Sequence, residues 1–243
     1  MSKLGKYLIF LSKLFTNPEK FRVYWALTMQ ECKDIGINSM LIVTIVSSFL
    51  GAVTCVQTAA NMENPFVPKY IISLIVRDST ILELGPTITC VVLAGKIGSN
   101  IAGQLGTMRI TEQIDALEVM GINSPSYLVL PKMIAAMVTF PMLVTMACFL
   151  GIYGGYLAGW LTGSVTQQSY IYGLQFDFKP NYVLFALIKS VVFGFLVASI
   201  AAFQGFYTKG GAYEVGKAST AAVTNACIAI LIADYLLAQL LVG

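Results

Sequence analysis

Histidine is absent from this 243-residue sequence, and charged residues make up only 11% of it. Without histidine the chain lacks the commonest general base and the commonest metal ligand. The charged share is less than half of the roughly 25% that is usual in soluble domains. A chain with so little charge cannot cover itself with polar surface, so the composition argues against a soluble protein.

Clusters of basic residues and of cysteines are also missing. Basic residues are spread along the chain and exceed acidic ones by only three, so nucleic acid is not an expected partner. The five cysteines lie far apart, and such spacing predicts neither a disulfide framework nor a metal site. We interpret them as small buried apolar residues.

Long apolar runs are the main feature that the sequence does have. Hydrophobic residues make up 57% of the chain, and the mean hydropathy is +0.77. Several runs reach the ~20 residues that a helix needs to cross a bilayer core. The sequence therefore predicts an all-α integral membrane protein, a single domain over residues 1–243, with about five transmembrane helices. The predicted spans are 37–60, 84–105, 133–161, 182–207 and 218–242.

The N-terminal 35 residues have a different pattern. Leu4, Leu8 and Leu11 recur at helical spacing with lysines among them. This pattern favours an interfacial amphipathic helix over residues 1–35. A signal peptide is the alternative, but Asn17-Pro18 follows where a small-residue cleavage site would be needed.

Basic residues in the connections predict the orientation. If the N-terminus is cytoplasmic, most of them lie on that side, and only Lys69, Arg77 and Lys179 lie outside. Cytoplasmic loops are the ones enriched in lysine and arginine. Because no transit peptide is recognisable, we expect a bacterial inner membrane, with the N-terminus cytoplasmic and the C-terminus periplasmic.

Four ionisable residues lie in or beside the predicted spans: Glu83, Lys96, Lys189 and Asp234. Charge is expensive there and is usually functional or paired. Lys189 and Asp234 fall at similar depth, so we expect them to be neighbours, either as a structural pair or as part of a substrate cavity. Glu83 lies beside a helix break expected at Gly85-Pro86, so it could sit at the mouth of that cavity and also reach Lys189. Lys96 is a further cavity candidate, although snorkelling towards the cytoplasm explains it slightly better.

A short amphipathic helix is predicted at 108–121, between the second and third spans. Thr111 can cap this helix, and Gly121 can end it. Apolar and acidic residues occupy different sides, which fits either a solvated connector or a helix docked on an ATPase subunit. We favour docking. The docking candidates are Thr111, Glu112, Ile114, Asp115, Leu117 and Glu118.

Glycines recur at four-residue intervals along the third span: Gly151, Gly155, Gly159 and Gly163. Small residues in such a row let two helices approach closely. The row predicts either packing within the chain or a seam between two copies. Because five helices enclose little space, a large cavity would need two copies of the chain.

No nucleotide site is predicted in this chain. The segment 211–218 nearly spells a phosphate loop, but Ala218 replaces the hydroxyl residue that would hold magnesium. No strand is predicted before it. If ATP drives the protein, another chain must bind the nucleotide, so we expect no cofactor here.

The segment from Glu83 to Lys132 carries a series of ordered motifs. They are Glu-Leu-Gly-Pro at 83–86, Gly-Thr-Met at 106–108, Thr-Glu-Gln-Ile-Asp-Ala-Leu at 111–117 and Met120-Gly121, followed later by a block that begins at Gly210-Gly211-Ala212. Together with the number of spans, this pattern strongly resembles the MlaE family of phospholipid-transporter permeases.

The resemblance implies a permease subunit of an ABC transporter. It would move phospholipid, or a related amphiphile, between the inner membrane and a periplasmic carrier, and so maintain outer-membrane lipid asymmetry. The implied partners are a cytoplasmic ATPase that uses the ATP, a periplasmic MCE-type lipid-binding protein and a second copy of the chain. Family members usually carry an arginine where this chain has Leu82, so a role of that arginine in holding an anionic headgroup cannot be transferred.

Two other functions fit the sequence less well. An ion-coupled secondary transporter of an amphipathic substrate could use Lys96, Lys189 and Asp234 as a relay, but the sequence has no internal inverted repeat. An intramembrane enzyme would have neither histidine nor a paired-carboxylate motif to work with. The permease is the better-supported hypothesis.

Overall fold

The computed structural model describes residues 3–14, 21–62 and 68–242 of the chain. No strand occurs among these residues. The helices are α1 (Lys3–Leu14), α2 (Phe21–Asn61), α3 (Tyr70–Ile110), α4 (Gln113–Val119), α5 (Ser124–Leu161), α6 (Gln167–Gln175), α7 (Asn181–Phe206) and α8 (Ala212–Val242). The expected all-α fold is confirmed.

Five of these helices, α2, α3, α5, α7 and α8, are long and apolar enough to cross a membrane. Large apolar side chains cover their outer sides. Leu41, Phe149 and Leu240, for example, are 71%, 71% and 79% exposed. Continuous apolar surface of this kind is unfavourable in water and suits a lipid environment. The predicted number of spans and the membrane assignment are therefore confirmed.

Helix α2 differs from the expected division at its N-terminal end. Phe21 to Asn61 form one continuous helix, so residues 21–35 do not form an element separate from the first span. Gly36 lies at the expected junction, but a single glycine costs a helix only about 1 kcal/mol. No proline follows to stop the helix before Asn61. The Asn17-Pro18 break lies outside the described residues.

Helix α1 packs part of its apolar side on α7. Phe10 and Leu14 are fully buried, and the Phe10 ring centroid lies 5.8 Å from that of Phe203. Tyr7 shares a 2.8 Å hydrogen bond with Ser199. The amphipathic pattern that predicted a surface helix therefore also serves packing within the chain.

Helix α3 contains two π-helical stretches, Thr80–Ile88 and Ala94–Gly98. Pro86 lies inside the first of them. Proline has no N–H, and its ring clashes with the carbonyl four residues earlier, so a wider turn lets the helix continue past it. The break expected at Gly85-Pro86 is instead a local widening of a helix that starts at Tyr70.

The chain divides into two compact units. Residues 1–38, 91–140 and 191–243 make up the first unit, and residues 39–90 and 141–190 make up the second. Helices α2, α3, α5 and α7 each contribute residues to both units, because each passes a unit boundary along its length.

In the second unit, α2 and α5 approach each other closely at glycines. A β-carbon added to Gly51 would lie 1.8 Å from the Gly151 carbonyl oxygen, and one added to Gly154 would lie 2.2 Å from the Ser48 carbonyl oxygen. Such distances are possible only between backbones without side chains. The glycine row of α5 thus makes close contacts within the chain.

The row does not extend to its predicted end. A β-carbon on Gly155 would lie 2.7 Å from the Tyr170 hydroxyl, and one on Gly159 would lie 3.3 Å from the Cys55 sulfur. Gly163, in contrast, lies beyond the end of α5 with a φ of 67°. It serves the left-handed turn that follows the helix, not helix packing, so its assignment to the row was wrong.

In the first unit, small residues bring α7 against α3 and α5. A β-carbon on Gly205 would lie 2.6 Å from the Ala102 carbonyl oxygen of α3, and one on Gly194 would lie 2.9 Å from the Ala136 carbonyl oxygen of α5. The close spacing of these three helices leaves little freedom for polar side chains between them.

Candidate functional site

An ion pair joins α3 and α7 in the second unit. Lys189 Nζ lies 2.9 Å from Glu83 Oε1 and donates a hydrogen bond of 3.1 Å to the Leu82 carbonyl oxygen. The Lys189 side chain is 3% exposed, whereas the Glu83 side chain is 51% exposed. The contact that the sequence suggested between Glu83 and Lys189 is thus present, and the carboxylate can turn away from the lysine without becoming buried.

The carbonyl that Lys189 contacts belongs to the first π-helical stretch of α3, Thr80–Ile88. Pro86 lies in the same stretch and has no N–H to donate to the preceding turn. The lysine ammonium therefore contacts both the main chain and the glutamate side chain of the Glu-Leu-Gly-Pro motif. The main-chain contact does not depend on which side chain residue 82 carries.

An apolar cavity of about 240 Å³ lies in the same unit. Residues of α3, α5 and α7 line it: Ile81, Val144, Thr145, Cys148, Ile152, Val183, Ala186 and Leu187. Helices α3 and α7 thus carry both the ion pair and part of the cavity wall. Charged and apolar groups on the same two helices are what an amphiphile needs.

The other two predicted intramembrane residues belong to the first unit. Lys96 lies in the second π-helical stretch of α3 and donates to the Asn38 carbonyl oxygen of α2. Asp234 is a partly buried residue of α8. The expected pairing of Lys189 with Asp234 stays a prediction.

Helix α4 is shorter than the predicted 108–121 element and begins in a different way. Thr111 does not cap it, since its hydroxyl donates to the Thr107 carbonyl oxygen at 2.9 Å. Glu112 occupies the N-cap position instead, with a left-handed φ of 59°. The reason is that α3 runs to Ile110, so the Thr111 hydroxyl bonds back to that helix rather than forward to α4.

The acidic side of α4 is not simply solvated. Arg109 Nη1 lies 2.6 Å from Asp115 Oδ1, and the Ser124 hydroxyl donates to Glu118 Oε1 at 2.8 Å. On the apolar side Ile114 is fully buried. These contacts tie α4 to the end of α3 and to the start of α5.

The last turn of α4 presents apolar side chains to the outside. Val119 and Met120 are 89% and 66% exposed. Leu117 is partly buried, and Gly121 ends the helix as expected, at a φ of 80°. Exposed apolar residues beside a charged helix mark a candidate contact for a partner. The sequence interpretation missed Val119 and Met120 because it placed the apolar side of the helix at Ile110, Ile114 and Leu117.

Arg77 was also missed, since it was counted only as an outer basic residue. It is 3% exposed, and its guanidinium donates to the Leu174 and Phe176 carbonyl oxygens, each at 2.8 Å. It also pairs with Asp78 at 2.8 Å. No sequence pattern marks this role, because the acceptors are main-chain atoms 97 and 99 residues away.

The chain is similar to known membrane permeases over nearly its whole length. The family described as Permease MlaE matches residues 28–240. A probable ABC transporter permease protein of Rickettsia bellii is 36% identical over 98% of this chain and 91% of its own length. The chloroplastic protein TRIGALACTOSYLDIACYLGLYCEROL 1 of Arabidopsis thaliana is 30% identical over 90% of this chain and 63% of its own length. The intermembrane phospholipid transport system permease protein MlaE of Haemophilus influenzae is 27% identical over 99% of this chain and 92% of its own.

The matched region, residues 28–240, includes the Glu83–Lys189 pair, the cavity and α4. The family that the motifs between Glu83 and Lys132 indicated is therefore confirmed. This chain is a multi-pass membrane protein that belongs to the MlaE permease family.

Proposed function

We propose that this chain, as the permease subunit of an ABC transporter, moves phospholipid between the inner membrane and a periplasmic lipid carrier and thereby maintains outer-membrane lipid asymmetry. The observation that carries the proposal is the Glu83–Lys189 pair on two of the helices that also line an apolar cavity. The printed name of the Haemophilus relative, which specifies intermembrane phospholipid transport, supports the same substrate class.

The ion pair suits a phosphate headgroup. The Lys189 ammonium can bind a phosphate oxygen, and Glu83 can release it with little loss of solvation because half of its side chain is already exposed. The released carboxylate can then accept a hydrogen bond from a headgroup amine. When no lipid is bound, Glu83 keeps the buried ammonium paired and avoids the roughly 3–5 kcal/mol that an uncompensated buried charge costs.

The cavity suits part of one acyl chain. An apolar cavity of roughly 150 Å³ holds a benzene-sized hydrocarbon. The present volume of about 240 Å³ therefore accommodates a longer segment, but not a two-tailed lipid. Because lipid tails are as apolar as the cavity wall, the cavity positions the chain more than it attracts it. A complete site needs further walls, and we propose that a second copy of the chain supplies them in a homodimer.

ATP hydrolysis is assigned to a partner chain. Residues 212–218 of the segment that resembles a phosphate loop lie within α8, which begins at Ala212, and Ala218 has no hydroxyl for magnesium. A cytoplasmic ABC ATPase would dock on α4, where Val119 and Met120 offer exposed apolar contacts. The outer partner would be a periplasmic MCE-type lipid-binding protein, with the N-terminus of this chain in the cytoplasm of a bacterial inner membrane.

Replacing the exposed apolar residues of α4 tests the docking. The double variant Val119→Asp/Met120→Asp should weaken retention of the ATPase in mild detergent by about 30-fold or more, because buried anchors at interfaces contribute about 2 kcal/mol or more. Tyr172→Asp is the matched control, since Tyr172 is 55% exposed on α6. Equal retention of the ATPase by the wild type and the double variant would contradict docking on this turn.

Lipid retention tests the substrate site. Wild-type protein purified in mild detergent should carry phospholipid that mass spectrometry identifies. Lys189→Met should retain at least roughly tenfold less, because a hydrogen bond to a charged group contributes about 1.5–3 kcal/mol. Lys179→Met, at a lysine whose side chain is 56% exposed, is the control and should retain the wild-type amount. Unchanged retention in Lys189→Met would remove this residue from the site.

A further inference from the structure

A buried lysine links three helices of the first unit. Lys132 of α5 is 5% exposed, and its ammonium lies 2.5 Å from Glu31 Oε1 of α2 and 2.6 Å from Gln104 Oε1 of α3. The sequence interpretation counted Lys132 only as a basic residue near the membrane, and the lipid site does not use it. We call Lys132, Glu31 and Gln104 the Lys132 cluster.

The cluster closes the loop that carries α4. Gln104 lies near the end of α3, Lys132 lies near the start of α5, and 28 residues separate them along the chain. Helix α4 lies within that interval. Six residues follow Gln104 in α3, and at ~1.5 Å per residue they span only about 9 Å. Eight residues precede Lys132 in α5, and they span about 12 Å. The cluster therefore fixes the spacing of the two helices close to the points where they lead into α4.

Other contacts make the loop stiff on both sides of α4. Arg109 pairs with Asp115, and Ser124 donates to Glu118, so each end of α4 is bound to the adjacent long helix. Helix α2 is joined to α5 a second time, since the Tyr24 and Ser126 hydroxyls share a buried hydrogen bond of 2.7 Å. A displacement of α4 is thus passed to α3 and α5 directly, and to α2 through the cluster.

Stability alone does not explain a charged pair in this place. Replacing a buried ion pair by apolar residues of similar size is often neutral or stabilising, whereas removing one partner is costly. What the ammonium supplies is directional contact with two acceptors on two different helices. Apolar packing between the same helices is non-directional and would not supply these two contacts.

We propose that Lys132 is a positioning residue that couples ATP hydrolysis to lipid movement. It holds α2, α3 and α5 at fixed spacing, so that movement of α4 on the ATPase displaces the three helices together. This inference rests on the proposed function, because it requires an ATPase that acts on α4. Lys132 acts through the helices and not by contact with lipid.

The test is the number of lipids moved per ATP hydrolysed by the complete complex in proteoliposomes. Lys132→Met should retain the ATPase and hydrolyse ATP at close to the wild-type rate, while lipid moved per ATP falls at least about fivefold, the lower end of coupling between distant sites. Glu31→Met/Lys132→Met leaves no unpaired charge and should show the same loss. Lys132→Arg should recover coupling, because its planar fork can reach both acceptors. Lys217→Met, at a lysine whose side chain is 70% exposed, is the control.

Each possible result either supports or contradicts the coupling role of Lys132. If Lys132→Met does not fold, the double variant carries the test. An unchanged ratio of lipid to ATP in the double variant would overturn the inference, and so would equal loss of transport and hydrolysis, which a purely structural role produces. Absence of ATP-driven lipid movement in the wild type would instead refute the proposed function, and the inference with it, before any variant is compared.

Discussion

Removing either charge of the Glu83–Lys189 pair should destabilise the protein, but not to the same extent. The Lys189 side chain is 3% exposed, whereas that of Glu83 is 51% exposed. In Lys189→Met the remaining carboxylate keeps access to water or to lipid headgroups. In Glu83→Leu the remaining ammonium stays buried beside the Leu82 carbonyl oxygen. We therefore expect the variant that removes the carboxylate to be the less stable of the two.

The expected losses of unfolding free energy follow from the exposed fractions of the Glu83 and Lys189 side chains. Losing one partner of a buried pair costs about 3–5 kcal/mol, and an exposed pair contributes about 0–1 kcal/mol. Glu83→Leu leaves a buried charge, so it should lower the free energy of unfolding by about 3 kcal/mol. Lys189→Met leaves an exposed charge, so it should lower that free energy by about 1 kcal/mol. Glu83→Leu/Lys189→Met leaves neither charge uncompensated, so it should cost about 1–2 kcal/mol, less than the sum of the single changes.

The assay is unfolding in mixed micelles by titration with SDS, followed by far-UV circular dichroism. The free energy of unfolding should fall in the order wild type, Lys189→Met, Glu83→Leu. Equal costs, or a larger cost for Lys189→Met, would refute the burial argument. Strict additivity in the double variant would show that the two side chains do not interact in the folded protein.

Three further changes have expected outcomes. Gly51→Ala should lower the free energy of unfolding by about 3 kcal/mol or prevent accumulation of monodisperse protein, because a β-carbon there would lie 1.8 Å from the Gly151 carbonyl oxygen. Gly95→Ala is the control. A β-carbon there would have nothing within 4 Å, so this variant should behave as wild type in detergent gel filtration. Arg77→Met should raise amide hydrogen exchange over residues 174–178, because Arg77 binds the carbonyls there; Lys179→Met should not. Burial raises the pKa of the Tyr7 hydroxyl above its ordinary value, so the folded state retains this proton longer than the unfolded chain does. The stabilising contribution is complete below about pH 10 and is lost as the pH rises through the raised pKa, so Tyr7→Phe should lose less stability than wild type as the pH rises above about 10 in the same SDS titration.

The membrane helices could be predicted because their signal is local. A run such as 182–207 is continuous and uncharged except at Lys189, and α7 indeed covers residues 181–206. Helix ends were predicted less well, because tertiary contacts decide them. The Thr111 hydroxyl bonds back to α3, and Glu112 takes the cap position in a left-handed conformation that no propensity scale favours.

The polar contacts were predictable only where both partners stood out in apolar runs. Glu83 and Lys189 stood out in this way, and their contact could be suggested. Lys132 and Glu31 lie near the ends of apolar runs, where charges are common, so nothing in the sequence indicated that they are buried together. The apolar cavity depends on the packing of α3, α5 and α7, and no single segment encodes its volume.

The central claim is that this chain is a phospholipid permease driven by a separate motor. Reconstitution tests it most directly, by transfer of a labelled phospholipid out of proteoliposomes that contain the chain with or without its ATPase. We predict transfer only when the chain, the ATPase and hydrolysable ATP are all present. Transfer by the chain alone, driven by an ion gradient without ATP, would contradict the claim and favour a secondary transporter.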